Sequence, residues 1–186
     1  MLAAWKLYPS ALSVEQCQQA LEGLLASTGL HPGLIQTGNS LDTSFRRSKV
    51  GWPDRCDHEE FFGFVERKVL EANRELWAFD LDGRAEWQFT HYTAEDAGMY
   101  RPHMDCSLEA GTASCRKLSV TLNLSDPDEY RGGSLKLGAV GQPDAAELRA
   151  RGSMLVFPSF VEHGVTPLLA GQRYSLVAWF SGPNWR

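Results

Sequence analysis

Two histidines and an aspartate carry most of the chemical signal in this chain. Asp105 follows His103 by two positions. In extended backbone, residues i and i+2 project from one face, so an imidazole and a carboxylate there could grip one ion together. His-x-Asp pairs also arise by chance, and further residues must decide. His163 lies 58 residues beyond Asp105, after the apolar run Met154-Leu-Val-Phe157 and just before Gly164. That position suits a loop reaching the mouth of a β-core. Two imidazoles and one carboxylate form a facial donor set that fits non-haem Fe(II) and leaves other coordination positions open. Zinc accepts the same donor types.

Ten residues past His163, Arg173 opens an otherwise apolar strand, Arg-Tyr-Ser-Leu-Val-Ala-Trp-Phe180. A guanidinium entering a core must be paired, because an isolated buried charge is costly. Its planar set of donors matches a carboxylate. A structural pair with Asp126, Asp128 or Glu162 is the alternative. Among the other candidates, His31 and His58 read as solvated, and His91 should face away from Tyr92 in a structural role. Cys106 reads as a small buried filler, since no base is placed to make it a nucleophile.

These residues need a frame. Ser13-Val-Glu-Gln16 is a capping box, and Val14, Cys17, Leu21, Leu24 and Leu25 follow at helical spacing. Gly29 and Pro32 should end that helix. Residues 30–46 are turn-rich, with Gly33, Gly38, Asn39 and Asp42. A second helix is expected over 57–76, with Pro53 and Asp54 as start signals and Phe61, Phe64, Val65, Val69 and Leu70 on one face. From Trp77 the texture becomes β-rich. Short strands are expected over 77–81, 85–93, 99–104, 117–124, 134–137, 153–157, 164–167 and 173–180, separated by turn clusters such as Asp82-Gly83 and Gly132-Gly133. The expected architecture is mainly β, a sandwich or barrel-like core carrying N-terminal helices. It forms one domain over 1–186, with a helical support region over 1–76 and a β-core over 77–181.

Taken jointly, the residues resemble the 2-oxoglutarate/Fe(II)-dependent dioxygenases of the prolyl-4-hydroxylase-like branch. The likeness rests on Tyr92-x5-Gly98-x-Tyr100-x2-His103-x-Asp105 and on Leu118-Ser-Val-Thr-Leu-Asn-Leu-Ser125 followed by Tyr130-Arg-Gly-Gly-Ser-Leu135. Phe157-Pro-x5-His163 and Arg173-Tyr-x4-Trp179 complete it. The Arg47-Ser48-Lys-Val-Gly-Trp52 stretch is similar to one in short bacterial and phage members. The resemblance implies a double-stranded β-helix (jelly-roll, cupin-like), with Fe(II) on His103, Asp105 and His163. It implies 2-oxoglutarate as co-substrate with its distal carboxylate on Arg173, O2 as oxidant, and ascorbate as a candidate reductant. Tyr92 falls on the co-substrate side, while Tyr100 and Trp179 fall nearer the prime substrate, with core packing as their alternative role. Some relatives carry a second carboxylate contact, a tyrosine, where this chain has Asn123; Thr121 shares that face, and the resemblance makes both expected hydrogen-bond donors to the co-substrate.

The implied reaction is hydroxylation of a C–H bond with release of succinate and CO2. A prolyl residue in a peptide or protein is the first substrate expected, and a free amino acid or secondary metabolite is the alternative. A non-catalytic cupin-like metal-binding module is the competing class, though such a module has no need of an arginine for a dicarboxylate. With 186 residues and a net charge of −5, the chain does not read as a coat for phosphate backbones. Arg46-Arg47-Ser-Lys49 reads as a solvated basic face and is the only hint of a nucleic-acid partner. No run approaches the ~18 apolar residues that span a bilayer. The four cysteines lack metal-like spacing and read as reduced cytoplasmic thiols, although an even count leaves two disulfides open.

Overall fold

The computed structural model describes residues 2–34, 42–83, 85–106 and 114–185, so Gly38 and Asn39 lie outside the described residues. The first helix, α1 (Val14–Ser27), begins on the expected capping box: the Gln16 backbone N–H donates to Ser13 Oγ at 3.1 Å, and the Ser13 N–H donates to Gln16 Oε1 at 2.9 Å. The second, α2 (Glu59–Leu76), follows a 3-10 turn over Arg55–His58 that Asp54 caps through the Cys56 N–H.

Most of the chain is strand. In order these are β1 (Lys6–Tyr8), β2 (His31–Pro32), β3 (Arg46–Arg47), β4 (Lys49–Gly51), β5 (Ala85–Thr93), β6 (Met99–His103) and β7 (Ser114–Asn123). They continue with β8 (Tyr130–Gly132), β9 (Leu135–Leu137), β10 (Met154–Pro158), β11 (His163–Val165) and β12 (Leu168–Pro183). A short helix, α3 (Ala145–Arg149), precedes β10. The major sheet runs β1-β10-β7-β12-β5-β4-β2, with β8 on the distal part of β12, and the minor sheet runs β3-β6-β11-β9. The expected double-stranded β-helix is the fold observed.

Alternation on the three central strands of the major sheet separates core from cavity. Trp87 and Phe89 of β5, Leu118, Val120 and Leu122 of β7, and Leu176, Ala178 and Phe180 of β12 join the core with Phe62, Val65 and Val69 of α2. Phe62 stacks on Trp87 at 4.0 Å and 6°. Burying one such side chain contributes about 2–3 kcal/mol. The intervening residues Gln88, Thr90, Tyr92, Ser119, Thr121, Arg173, Ser175 and Trp179 therefore face the space between the sheets.

Two regions differ from the sequence reading. Residues 77–81 are not a strand. Trp77 caps α2 through its N–H to Asn73 O, Ala78 adopts φ 53°, and the Asn73 side chain exchanges two hydrogen bonds with the backbone of Phe79. The aromatic composition there serves helix-cap packing, not pairing. The turn-rich 30–46 stretch, in contrast, leads into strands: β3 joins the minor sheet and β4 the major one, so residues 46–51 cross between sheets and close one end of the sandwich. Strands β1, β2 and β8 and helix α3 were also not expected; each is five residues or shorter, too short to show periodicity.

Candidate functional site

His103 ends β6 and His163 opens β11, and the two are directly paired across the minor sheet. Their ring centroids lie 4.4 Å apart. Gly164 permits this approach, because a Cβ there would sit 2.9 Å from the Tyr100 carbonyl. Asp105 lies beyond the end of β6, so the expected continuous strand stops short of it. Its backbone N–H donates instead to Ser159 O at 2.9 Å, which turns the carboxylate inward.

The three donor atoms converge. Asp105 Oδ1 is 3.5 Å from His103 Nε2, and Oδ2 is 3.3 Å from His163 Nε2. All candidate ligand atoms lie within 4.8 Å of one another. Each ring is oriented through its other nitrogen: His103 Nδ1 donates to Arg101 O at 2.8 Å and His163 Nδ1 to Val161 O at 3.0 Å. Those bonds assign the proton to Nδ1 and leave the Nε2 lone pairs for a metal. Ser119 Oγ donates to Asp105 Oδ2 at 2.6 Å and also meets Ser159 Oγ at 2.9 Å.

The electrostatics match a metal-ready site. Burial pushes the Asp105 carboxyl upward, but His163, His103 and the Ser119 hydroxyl outweigh it and hold the group well below the usual carboxylate range. Burial lowers the His163 pKa, with His103 adding to that and Asp105 opposing it. A carboxylate oxygen beside two imidazole nitrogens is the donor set a ferrous ion takes.

Arg173 is 6% exposed and registers against Tyr92 on β5, with its guanidinium carbon 5.9 Å from the Tyr92 ring. Among the described residues no carboxylate lies within ion-pair distance of it, so the pairing with Asp126, Asp128 or Glu162 is not formed. Burial raises the Tyr92 pKa, opposed by Arg46 and Arg173, so its hydroxyl stays protonated. Thr121 shares the cavity with Arg173. Asn123 does not offer the expected donor. Its Nδ2 is spent on the carbonyls of Ser125 and Arg149, at 3.0 and 2.8 Å, and its buried Oδ1 is an acceptor without a partner.

Tyr100 stacks on His103 at 3.7 Å, and Trp179 lies at the outer end of the same cavity, its ring 6.1 Å from that of Trp52. Beyond the donor atoms the inner cavity opens to a cleft of about 330 Å3 framed by Trp52, Trp179, Tyr100, Arg116 and Arg46. The Arg116 guanidinium lies 3.8 Å over Trp179 and pairs with Glu86 at 2.6 Å. Ser119, Gln88, Arg116, Trp52 and above all Arg46 were missed in the sequence. Arg46, whose basic, polar neighbours in sequence suggest a solvated side chain, is buried. Its only signal was the strand-like run into Val50-Gly51-Trp52. His91 takes the structural place expected, stacked on Tyr174 at 4.2 Å and bonded to Gln172. His31 is exposed, whereas His58 is half-buried against Phe62 and bonds Ser27 Oγ at 2.8 Å. Cys106 is buried, and all four cysteines are free.

The family model for the 2OG-Fe(II) oxygenase superfamily matches residues 87–181. A PKHD-type hydroxylase of Azoarcus sp. is 30% identical over 166 residues, covering 87% of this chain and 71% of that protein. One from Hyphomonas neptunium is 44% identical over 62 residues, 33% of this chain and 27% of its own. The chain spans less than two-fifths of the length of the first three curated relatives it matches. Among solved structures, a Pseudomonas putida prolyl-4-hydroxylase superimposes with TM-score 0.74 at 21% identity, covering 96% of this chain and 92% of the other. A prolyl hydroxylase from Trichoplax adhaerens, in complex with a hypoxia inducible factor oxygen degradation domain peptide fragment, gives 0.75 at 19%, covering 95% and 83%.

Proposed function

The chain belongs to the 2OG-Fe(II) oxygenase superfamily, and on that footing we propose that it hydroxylates a C–H bond while converting 2-oxoglutarate to succinate and CO2. One observation carries the reading: a buried arginine without a carboxylate partner shares its cavity with three converging metal donors. A cupin-like module that only bound metal would have no use for that cation.

His103, Asp105 and His163 are the proposed ligands of Fe(II). When bound, the ferrous ion with 2-oxoglutarate and O2 supplies the oxidation. The protein's part is placement and exclusion. The carbonyls of Arg101 and Val161 fix the imidazoles, and Ser119 fixes the carboxylate. Arg173 receives the distal carboxylate of the co-substrate in a charge-assisted pair, with the hydroxyls of Thr121 and Tyr92 as further donors. Asn123 instead secures the backbone behind that pocket.

The prime substrate enters through the aromatic cleft. Trp52, Trp179 and Tyr100 offer flat walls for a saturated ring or chain, and a prolyl ring has that shape. No helix among the described residues is long and apolar enough to cross a membrane. A reducing, cytoplasmic compartment suits four free thiols and a ferrous ion.

The test is 2-oxoglutarate consumption and succinate formation by Fe(II)-loaded protein, alone and with a panel of Pro-containing peptides and free amino acids. Consumption that requires Fe(II) and rises with a panel member supports the reading. Iron-loaded protein that neither binds nor consumes 2-oxoglutarate would overturn it.

A further inference from the structure

Arg46 is the charge that this assignment leaves over. It is 6% exposed, as buried as Arg173. Its position is built on every side. Nε donates to Ser48 Oγ at 2.7 Å, Nη2 donates to Gln88 Oε1 at 2.8 Å, and the guanidinium carbon lies 4.5 Å from the Tyr100 ring centroid. Gly33 is flat against it, and a Cβ there would meet Nε at 2.8 Å. Both hydrogen bonds go to neutral acceptors. Among the described residues no carboxylate lies within ion-pair distance of Arg46, and Nη1 has no hydrogen-bond partner. The side chain lines both the inner cavity and the outer cleft.

Charge balance shows what is missing. The ferrous ion and Arg173 bring three positive charges, which Asp105 and the two carboxylates of 2-oxoglutarate match. Arg116 at the cleft rim already has Glu86. Among the described arginines that line the cavity and the cleft, Arg46 remains, fixed and uncompensated, and a buried cation without an anion is expensive. A peptide carbonyl is neutral and would leave that charge standing. A carboxylate would cancel it and take the unused donors of the guanidinium edge.

We propose that the prime substrate carries a free carboxylate, that Arg46 receives it, and that the substrate is an amino acid or an acid of similar size. Size follows from position. Arg46 sits directly across β3–β6 from Tyr100, whose ring stacks 3.7 Å from that of His103. One aromatic ring thus separates the anion anchor from a metal ligand, which places the oxidised carbon a few bonds from the carboxylate. The proposal rests on the dioxygenase reading and narrows its substrate class.

The experiment is anaerobic calorimetric titration of the Fe(II)- and 2-oxoglutarate-loaded protein with free L-amino acids, each matched to its carboxamide and to its N-acetyl carboxamide. At least one free acid should bind about 30-fold or more tightly than its carboxamide, the scale of one charged hydrogen-bonded pair. Arg46→Gln should erase that preference, and Arg46→Lys should restore part of it. Gly33→Ala, which pushes the guanidinium aside without touching its charge, should weaken the free acid by about tenfold. The Kd for 2-oxoglutarate, titrated separately, should agree between wild type and the Arg46 variants within about threefold, which also reports that they fold. Equal binding of acid and carboxamide, tightest binding of the N-acetyl carboxamide, or a preference that survives Arg46→Gln would overturn the proposal. Wild-type protein that binds Fe(II) but no 2-oxoglutarate would instead bring down the parent reading.

Discussion

The floor of the cavity and its mouth are assembled from different kinds of sequence. The floor is set on paired strands: His103 faces His163 across β6 and β11, while Arg173 and Ser119 alternate with core residues on the longest strands of the major sheet. The side chains of His103, Asp105 and His163 are each oriented by a second group. The mouth draws on the crossing segment 46–51, where β3 and β4 together hold five residues, and on side chains at the outer end of the sheet. A rigid floor suits a reaction whose metal and co-substrate geometry is fixed. A mouth made of short pieces can change its prime substrate without disturbing the ligands.

The hardest way to break this contrast is to remove a ligand from the floor. His103→Ala, Asp105→Ala and His163→Ala should each weaken Fe(II) binding by roughly two to three orders of magnitude, since three ligands are the minimum for such a site. Anaerobic metal titration checks this. Trp52→Ala at the mouth should leave Fe(II) affinity unchanged within error. Three ligand variants that bind iron like wild type would refute the assignment.

Arg173 joins the floor to the co-substrate. Arg173→Ala should raise the apparent KM for 2-oxoglutarate by about two orders of magnitude, given the 3–5 kcal/mol that losing one partner of a buried pair costs. Arg173→Lys should fall between, because an ammonium keeps the charge but not the bidentate geometry. Iron affinity without co-substrate should hold. If KM is unmoved and only thermal stability drops, Arg173 is a structural cation.

Legibility in the sequence followed element length. Strands of eight residues or more repeat their alternation enough to be read, and they carried Tyr92, Thr121, Arg173 and Trp179 into view. His103, Asp105 and His163 were legible by residue type and spacing, although Asp105 is placed by a hydrogen bond to Ser159 rather than by strand pairing. Arg46 was not legible. Adjacent arginines in a polar stretch look solvated, and only the crossing between sheets, with Gly33 and Gln88 arriving from distant positions, turns one of them inward. Asn123 shows the complementary case: it lines a pocket with Thr121 and Arg173, but which of its atoms is free depends on backbone carbonyls at Ser125 and Arg149. Residues 77–81 have β composition, and the Asn73 side chain captures them as a helix cap.

A finer cut stays within the floor. Ser119→Ala removes the hydroxyl that donates to Asp105 Oδ2 at 2.6 Å while leaving all three ligands in place. Fe(II) affinity should fall by about tenfold, the lower end of what outer-shell partners of metal ligands contribute. Ser119→Thr, which keeps the donor, should recover most of it if the methyl group is accommodated. An unchanged metal affinity in Ser119→Ala would mean that the backbone bond to Ser159 alone orients the carboxylate.

The smallest expected effect compares the two faces of β5, where Tyr92 points into the cavity and His91 packs outside it against Tyr174. Burial lowers the His91 pKa, opposed by the hydrogen bond with Gln172. Its folded-state pKa therefore lies below the unfolded value of about 6.5. Between those two values the unfolded chain binds more protons than the folded one, so stability rises with pH. The contribution is fully present above about pH 6.5 and is lost as pH falls through the folded pKa. His91→Phe keeps a ring against Tyr174 and removes the titration. Melting curves of the metal-free variant and wild type between about pH 5 and 7.5 should then converge toward acid by roughly 1–2 °C, because the partly exposed site couples only weakly to stability. Subtracting one curve from the other cancels the titration of His163, which the two proteins share. A difference that does not vary with pH would place His91 in packing alone, and a loss of 2-oxoglutarate binding in His91→Phe would show that the outer face of β5 is not independent of the cavity.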